Sequence, residues 1–99
     1  MIGCYIIFSE KLNKFYVGAT QDDVSLRIEK HNSGQYGKQT FTSTTSDWKI
    51  FLFIPSTDYS HAIRLERKIK SMKSTKYFHD LIKYPELLEQ LVSNTRLSR

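Results

Sequence analysis

Cysteine is nearly absent from this chain, with one residue, Cys4, in 99 positions. A single thiol excludes an internal disulfide and any zinc site built from paired cysteines, and it fits a reducing compartment. Long apolar runs are missing too. The most apolar stretch near the start, Ile2 to Phe8, is far shorter than the roughly 20 residues a membrane-spanning helix needs, and no small-residue cleavage signature follows it. The expectation is a soluble cytoplasmic protein with no membrane partner. No internal repeat or low-complexity segment occurs, and at 99 residues with 39% hydrophobic content the chain has room for one core, so one domain is expected over 1–99.

Acidic residues are also in short supply. Fifteen Lys and Arg against ten Asp and Glu leave a net charge of +5, which favours polyanionic partners through long-range attraction and counterion release. The imbalance is concentrated between Arg64 and Lys76, where Arg64, Arg67, Lys68, Lys70, Lys73 and Lys76 surround one acid, Glu66. Such a run reads equally as a solvated helix face or as a phosphate-binding surface.

The hydrophobic periods divide the chain into elements. Ile2 to Phe8 alternates, as a strand covered on one or both faces does, and Lys14 to Ala19 alternates after a turn at Ser9 to Asn13. Together they predict an antiparallel hairpin with Tyr5 and Tyr16 on neighbouring strands. Asp22 or Thr20 then caps a helix over Asp23 to Asn32 that Gly34 ends. At 100° per residue Val24, Arg27, Ile28 and His31 share one face of it, so the packing face also carries a cation and an imidazole, while Leu26 and Glu29 point elsewhere. Ser33 to Asp47 is a polar stretch whose length suggests a binding loop.

Trp48 to Ile54 predicts a third, well-buried strand ended by Pro55. Asp58 or Ser60 caps the next helix, with Leu65, Ile69 and Met72 as its core stripe and Glu66 at the edge beside Ala62 and Lys73. Ser74 to Lys83 is helical again, and Pro85 starts a final helix over Glu86 to Ser93. The order β-β-α-β-α-α-α is an α+β domain on a small sheet.

Gly3-Cys4-Tyr5, Tyr16-Val17-Gly18, Arg27 with His31 one turn later, and Glu66 on a later helix resemble, in order and spacing, the GIY-YIG nuclease superfamily. His31-Asn32-Ser33-Gly34 and Lys70-Ser71-Met72-Lys73-Ser74 resemble its small stand-alone bacterial branch. The motif-bearing part runs over 3–84, and two tyrosine triplets alone would be weak where five ordered positions are strong. The resemblance implies a three-stranded antiparallel sheet flanked by helices and a metal-dependent DNA endonuclease, linked to repair or recombination and selective for DNA structure or context. It implies Mg2+, with Mn2+ as a substitute, held by Glu66, and a site of Tyr5, Tyr16, Arg27, His31 and Glu66. Cys4 and Val17 replace the motif's isoleucines at no chemical cost. The asparagine that many relatives carry after the glutamate is missing, since none lies between Asn32 and Asn94.

Phosphodiester hydrolysis gives these residue types work. A single carboxylate suffices for Mg2+, which keeps several waters and lets a phosphate complete its shell. Arg27 is permanently charged and forked, suited to a phosphate oxygen on which charge develops. His31 is placed to orient a tyrosine hydroxyl or accept a proton. Tyrosine ionises near pH 10, so a tyrosine base needs cations nearby; Tyr5 is assigned as base and Tyr16 as the group that orients phosphate or water.

Taken singly, each residue has an ordinary structural explanation. Tyr5 and Tyr16 would be core residues, Arg27 a solvated helix residue, Glu66 a surface partner of Lys70, and His31 a satisfied core histidine, as His61 and His79 are. For nucleic acid, Lys38, Arg67, Lys70, Lys73 and Lys76 are the candidate contacts. DNA is the expected partner, with a protein partner supplying targeting and no small-molecule substrate. The alternatives are a non-catalytic nucleic-acid-binding module that retains the fold, and a protein-interaction domain whose positive face meets an acidic partner.

Overall fold

The computed structural model describes residues 1–33 and 45–96. The expected turn residue Gly34, most of the Ser33 to Asp47 stretch and Lys38 lie outside the described residues. Strands β1 (Gly3–Ser9), β2 (Lys14–Thr20) and β3 (Lys49–Pro55) alternate with helices α1 (Val24–Ser33), α2 (Tyr59–Met72), α3 (Thr75–Lys83) and α4 (Pro85–Thr95) in the order β1-β2-α1-β3-α2-α3-α4. This is the expected α+β order.

The sheet is antiparallel with β1 in the middle, in the order β2-β1-β3. In the hairpin register Tyr5 stands opposite Gly18 and Ile7 opposite Tyr16. Side chains on a strand alternate between faces, so Tyr5 and Tyr16 point the same way. The turn between the strands closes through Asn13, whose N–H donates to the Glu10 carbonyl at 3.2 Å. Its φ of 54° is left-handed, a conformation that asparagine tolerates better than most residues.

Both faces of β1 are covered. Cys4 and Ile6, with Val17 and Ile54, pack against Leu65 and Ile69 of α2, Phe78 and Leu81 of α3 and Leu91 of α4. On the opposite face Tyr5, Ile7 and Trp48 pack with Val24 and Ile28 of α1. The sheet is therefore a middle layer, with α1 on one side and α2 to α4 on the other. Leu26 is 51% exposed and Glu29 is exposed, as the helical period requires.

Some details differ from the sequence expectations. Strand β3 is an edge strand and only Ile54 in it is fully buried, with Ile50 47% exposed. Its apolar run does not distinguish a central strand from an edge one. The register of β3 against β1 also shifts between Ile6 and Ile7, which pair with Leu52 and Ile50, and a bulge of this kind redirects the side chains beyond it. In α1 the first turn is capped neither by Asp22 nor by Thr20. The Asp23 carboxylate accepts from the Ser25 N–H at 2.9 Å, leaving the Thr20 hydroxyl for another task. Met72 is 40% exposed because it sits in the last turn of α2, where Lys73 at φ 49° turns the chain toward α3; Ala62, Leu65 and Ile69 are the buried residues of the stripe.

The other caps come from Asp58, which accepts from the His61 N–H at 2.8 Å, and from Ser74, which accepts from the Tyr77 N–H at 3.2 Å. α4 begins at Pro85 and runs to Thr95, two residues beyond the expected end. His61 is fully buried and ties the two ends of the helical layer together. Its Nδ1 accepts from the Thr57 N–H at 3.2 Å, and its Nε2 lies 2.9 Å from the Thr95 hydroxyl and 3.2 Å from the Val92 carbonyl. His79, in contrast, is exposed, with its ring against the edges of Phe15 and Phe51, so it is not the core histidine expected of it.

Candidate active site

The face of the sheet beneath α1 collects the tyrosines together with Arg27 and His31 of that helix. Tyr5 is 2% exposed, and its hydroxyl is 2.9 Å from His31 Nε2. Tyr16 lies against the same imidazole, ring centroids 5.0 Å apart. Its hydroxyl, unlike that of Tyr5, has no hydrogen-bond partner among the described residues.

Gly18 makes the Tyr5 position possible. A β-carbon on residue 18 would lie 2.5 Å from the Tyr5 hydroxyl oxygen and 2.6 Å from the ring carbon bearing it. Tyr5 therefore occupies the space a side chain on β2 would need. Gly3 has an equivalent reason, since a β-carbon there would meet the Ile54 carbonyl at 2.5 Å and the Phe53 ring at 2.6 Å.

Thr20 continues the row formed by Tyr16 and Gly18 at intervals of two. Its buried hydroxyl accepts from Arg27 Nε at 3.2 Å and from the Asp22 N–H at 3.0 Å. This fixes one end of the Arg27 guanidinium. A role at the site, beyond helix capping, is signalled in the sequence only by the alternate spacing of Tyr16, Gly18 and Thr20.

His31 is neutral at physiological pH. Burial, with the Arg27 charge adding to it, lowers its pKa from 6.5 to about 4. The next residue fixes the end of the helix that carries it. The Asn32 side-chain amide donates to the Trp48 carbonyl at 3.1 Å and accepts from the Trp48 N–H at 2.8 Å, so the end of α1 is locked to the chain entering β3. A second clamp lies nearby. The Asp47 carboxylate accepts from the Ser9 hydroxyl at 2.5 Å, the Thr45 hydroxyl at 2.7 Å and the Lys11 N–H at 3.0 Å, and these bonds hold its pKa down at about 2.

Glu66 approaches from the other side of the sheet. Leu65 and Ile69 anchor α2 against β1 and β2, so Glu66 and Lys70, each about 100° further round, share the flank beside the β2 edge. Lys70 Nζ is 2.6 Å from Glu66 Oε2 and 5.5 Å from the centroid of the Tyr16 ring. Lys70 thus connects the carboxylate to the tyrosine row. Both charges are felt at Cys4, whose thiol is pushed by burial up to about 12, with Glu66 raising the value and Lys70 opposing it.

The structure therefore brings Tyr5, Tyr16 and His31 into direct contact, places Arg27 beside them through Thr20, and joins Glu66 through Lys70. The basic run divides. Arg64 Nε donates to the Thr95 carbonyl at 2.5 Å, Lys70 is paired with Glu66, and Lys76 is paired with Asp80 at 2.8 Å. Arg67 and Lys73 are exposed and have no ion-pair partner among the described residues.

A family model described as the GIY-YIG catalytic domain matches residues 1–78. Among curated proteins, a 64-residue stretch is 39% identical to a protein of Legionella pneumophila named cysteine protease RavZ. That match covers 65% of this chain and 12% of the Legionella protein, so the chain corresponds to a small fraction of that relative's length. No solved structure matches the chain.

Proposed function

The chain belongs to the GIY-YIG catalytic-domain family, and on that premise we propose that it is a divalent-metal-dependent endonuclease that hydrolyses DNA phosphodiester bonds. The observation that carries this reading is the hydrogen bond between the Tyr5 hydroxyl and His31 Nε2 at 2.9 Å. A neutral imidazole against a phenol offers a destination for a proton. When Nε2 accepts, the hydroxyl hydrogen points to His31 and the phenolic oxygen keeps its character as an acceptor. Tyr5 then takes the proton from water as it passes its own to His31, and a free phenolate is not required. With Tyr5 2% exposed, this proton exchange is shielded from bulk solvent.

Arg27, positioned at Nε by Thr20, supplies a permanent positive charge to a phosphate oxygen on which charge builds. Tyr16, with its hydroxyl unengaged among the described residues, orients the phosphate. Glu66 is an oxygen donor on a partly exposed flank, 20% accessible. Among the described residues no three His, Cys, Asp or Glu side chains converge as a cage. This donor set fits an ion that keeps most of its water, such as Mg2+ or Mn2+, and does not fit one that needs a ready-made protein shell. Bound at Glu66, such an ion supplies charge balance for the phosphate and stabilisation of the leaving oxygen.

The activity named for the Legionella relative has no counterpart among these residues. Cys4, the chain's lone thiol, is buried and protonated, the opposite of what a cysteine nucleophile needs. One observation favours a second reading. The Glu66–Lys70 pair is also what a surface helix of a non-catalytic nucleic-acid-binding module would carry.

The test is incubation of the protein with flap, nicked, branched and linear DNA in Mg2+, Mn2+ and EDTA, with Glu66→Ala as control. Metal-dependent cleavage that Glu66→Ala abolishes supports the enzyme. Salt-sensitive binding without cleavage in any metal replaces it with the binding module. The same panel reads out structural preference, and any repair or recombination role depends on which substrate is cut.

A further inference from the structure

Lys70 is placed differently from Lys68, the other lysine of its helix, which is exposed. Its ammonium is 2.6 Å from the Glu66 carboxylate and sits over Tyr16 at 5.5 Å from the ring centroid. The two partners are unequally accessible: the Lys70 side chain is 47% exposed and that of Glu66 20%. A carboxylate tucked toward the sheet with a solvent-reachable cation laid across it is an arrangement in which the cation can be exchanged while the acid stays fixed.

We propose that Lys70 is an exchangeable counter-cation for Glu66, holding the carboxylate beside Tyr16 until a divalent ion replaces the ammonium. The proposal rests on the reading of Glu66 as the metal ligand. Its physical content is competition for one oxygen pair. An ammonium in contact with Oε2 occupies a lone-pair direction that a divalent ion also uses, and keeping both would set a single and a double positive charge within a few ångströms of each other. Metal entry therefore requires Lys70 to swing out, which its long stem and exposed position permit. Arg67 and Lys73 do not compete in this way, since neither is paired with Glu66. The ammonium lying over the Tyr16 ring, with Glu66 the less accessible partner, puts the pair against the edge of the sheet.

The expected size follows from the pair it breaks. A part-exposed ion pair is worth a factor of up to about five in equilibrium constant, and relief of repulsion toward the incoming ion adds to it. Mn2+ titration of the full chain without DNA, with free Mn2+ read by electron paramagnetic resonance, tests this on wild type, Lys70→Met, Lys70→Arg and Glu66→Gln. Lys70→Met is expected to bind Mn2+ roughly three- to tenfold more tightly than wild type, Lys70→Arg to stay near wild type, and Glu66→Gln to bind more weakly. Lys70 is largely on the surface, so far-UV circular dichroism of its two variants is expected to match wild type. Unchanged or weaker Mn2+ binding by Lys70→Met, with Glu66→Gln still impaired, overturns the exchange and leaves Glu66 as ligand. Glu66→Gln binding like wild type overturns the ligand assignment itself, and the exchange with it.

Discussion

Gly18 stands directly across from Tyr5 in the hairpin, and the Tyr5 hydroxyl fills the place where a β-carbon of residue 18 would be. The tyrosine is thereby laid over its neighbouring strand and delivered to His31 at the far side. A backbone requirement on one strand and a chemical requirement on the other are thus the same requirement.

Gly18→Ala should therefore act on the chemistry more than on the sheet. An added methyl 2.5 Å from a hydroxyl oxygen displaces the Tyr5 tip and breaks its bond to His31. Misplacing a reacting group by about 1 Å costs on the order of a hundredfold in rate. Single-turnover cleavage should fall by that order while DNA affinity holds. Wild-type rates in the alanine variant would mean that the Tyr5–His31 contact is not used.

Tyr5→Phe and Tyr16→Phe should separate the two tyrosines. Losing the Tyr5 hydroxyl removes the proton path and leaves a buried nitrogen of His31 without that partner, at about 1–3 kcal/mol of stability; cleavage should drop by about a hundredfold or more. Tyr16→Phe removes a hydroxyl that has no hydrogen bond among the described residues, so its melting temperature should stay near wild type while substrate binding weakens. Comparing melting curves with kcat and KM for both variants checks the division, and a reversed pattern would reassign the base to Tyr16.

Acid should destabilise the fold in two separate windows. The His31 pKa is depressed to about 4 when folded, so the unfolded chain takes up a proton first, and the stability this histidine contributes is complete above its unfolded value near 6.5. It is lost as pH falls from there to about 4. His61, lowered chiefly by burial, pulls in the same direction. Asp47, held at about 2 by its hydrogen bonds from Ser9, Lys11 and Thr45, contributes stability present above about 3.8 and lost only below that. Urea midpoints measured across pH should show a shallower slope between 6.5 and 4 in His31→Gln, and Asp47→Asn should flatten the lower window alone. Parallel curves for wild type and His31→Gln would contradict the lowered imidazole.

The basic run should contribute unevenly to DNA binding. Arg67 and Lys73 lack ion-pair partners among the described residues, while Lys76 is held by Asp80. In a Glu66→Ala background, replacing Arg67 and Lys73 by Gln should reduce the slope of log affinity against log salt by about 0.9 for each duplex phosphate that is no longer neutralised. Lys76→Gln should change it less. Fluorescence anisotropy on one duplex at several salt concentrations reads both, and identical slopes throughout would place the DNA elsewhere on the surface.

The order of elements was legible because period and composition act locally: alternation marked β1 and β2, a 3.6-residue period marked α1, and Pro85 marked α4. The five motif residues were grouped by resemblance to a family and not by period, and of them the structure puts Tyr5, Tyr16 and His31 in contact. What stayed hidden depends on relations between elements. Thr20, Asp22 and Asp23 all suit a helix cap, and only the backbone path selects Asp23, which frees Thr20 to hold Arg27. An apolar run does not say whether its strand is central, and the order β2-β1-β3 puts β3 at the edge. Lys70 could be seen as a partner of Glu66 at the i+4 position, but its reach across the β2 edge to Tyr16 emerges only once α2 is docked. Asn32 had no visible role at all, because the partner of its amide is the backbone sixteen residues away.

That last bond has a mechanical consequence. Asn32 and Trp48 are fastened amide to backbone at both donor and acceptor, so two positions sixteen residues apart in the chain are clipped side by side. Each bond of this kind contributes about 0.5–1.5 kcal/mol. Asn32→Ala removes both at once and therefore detaches the C-terminal end of α1, which carries His31, from the chain entering β3.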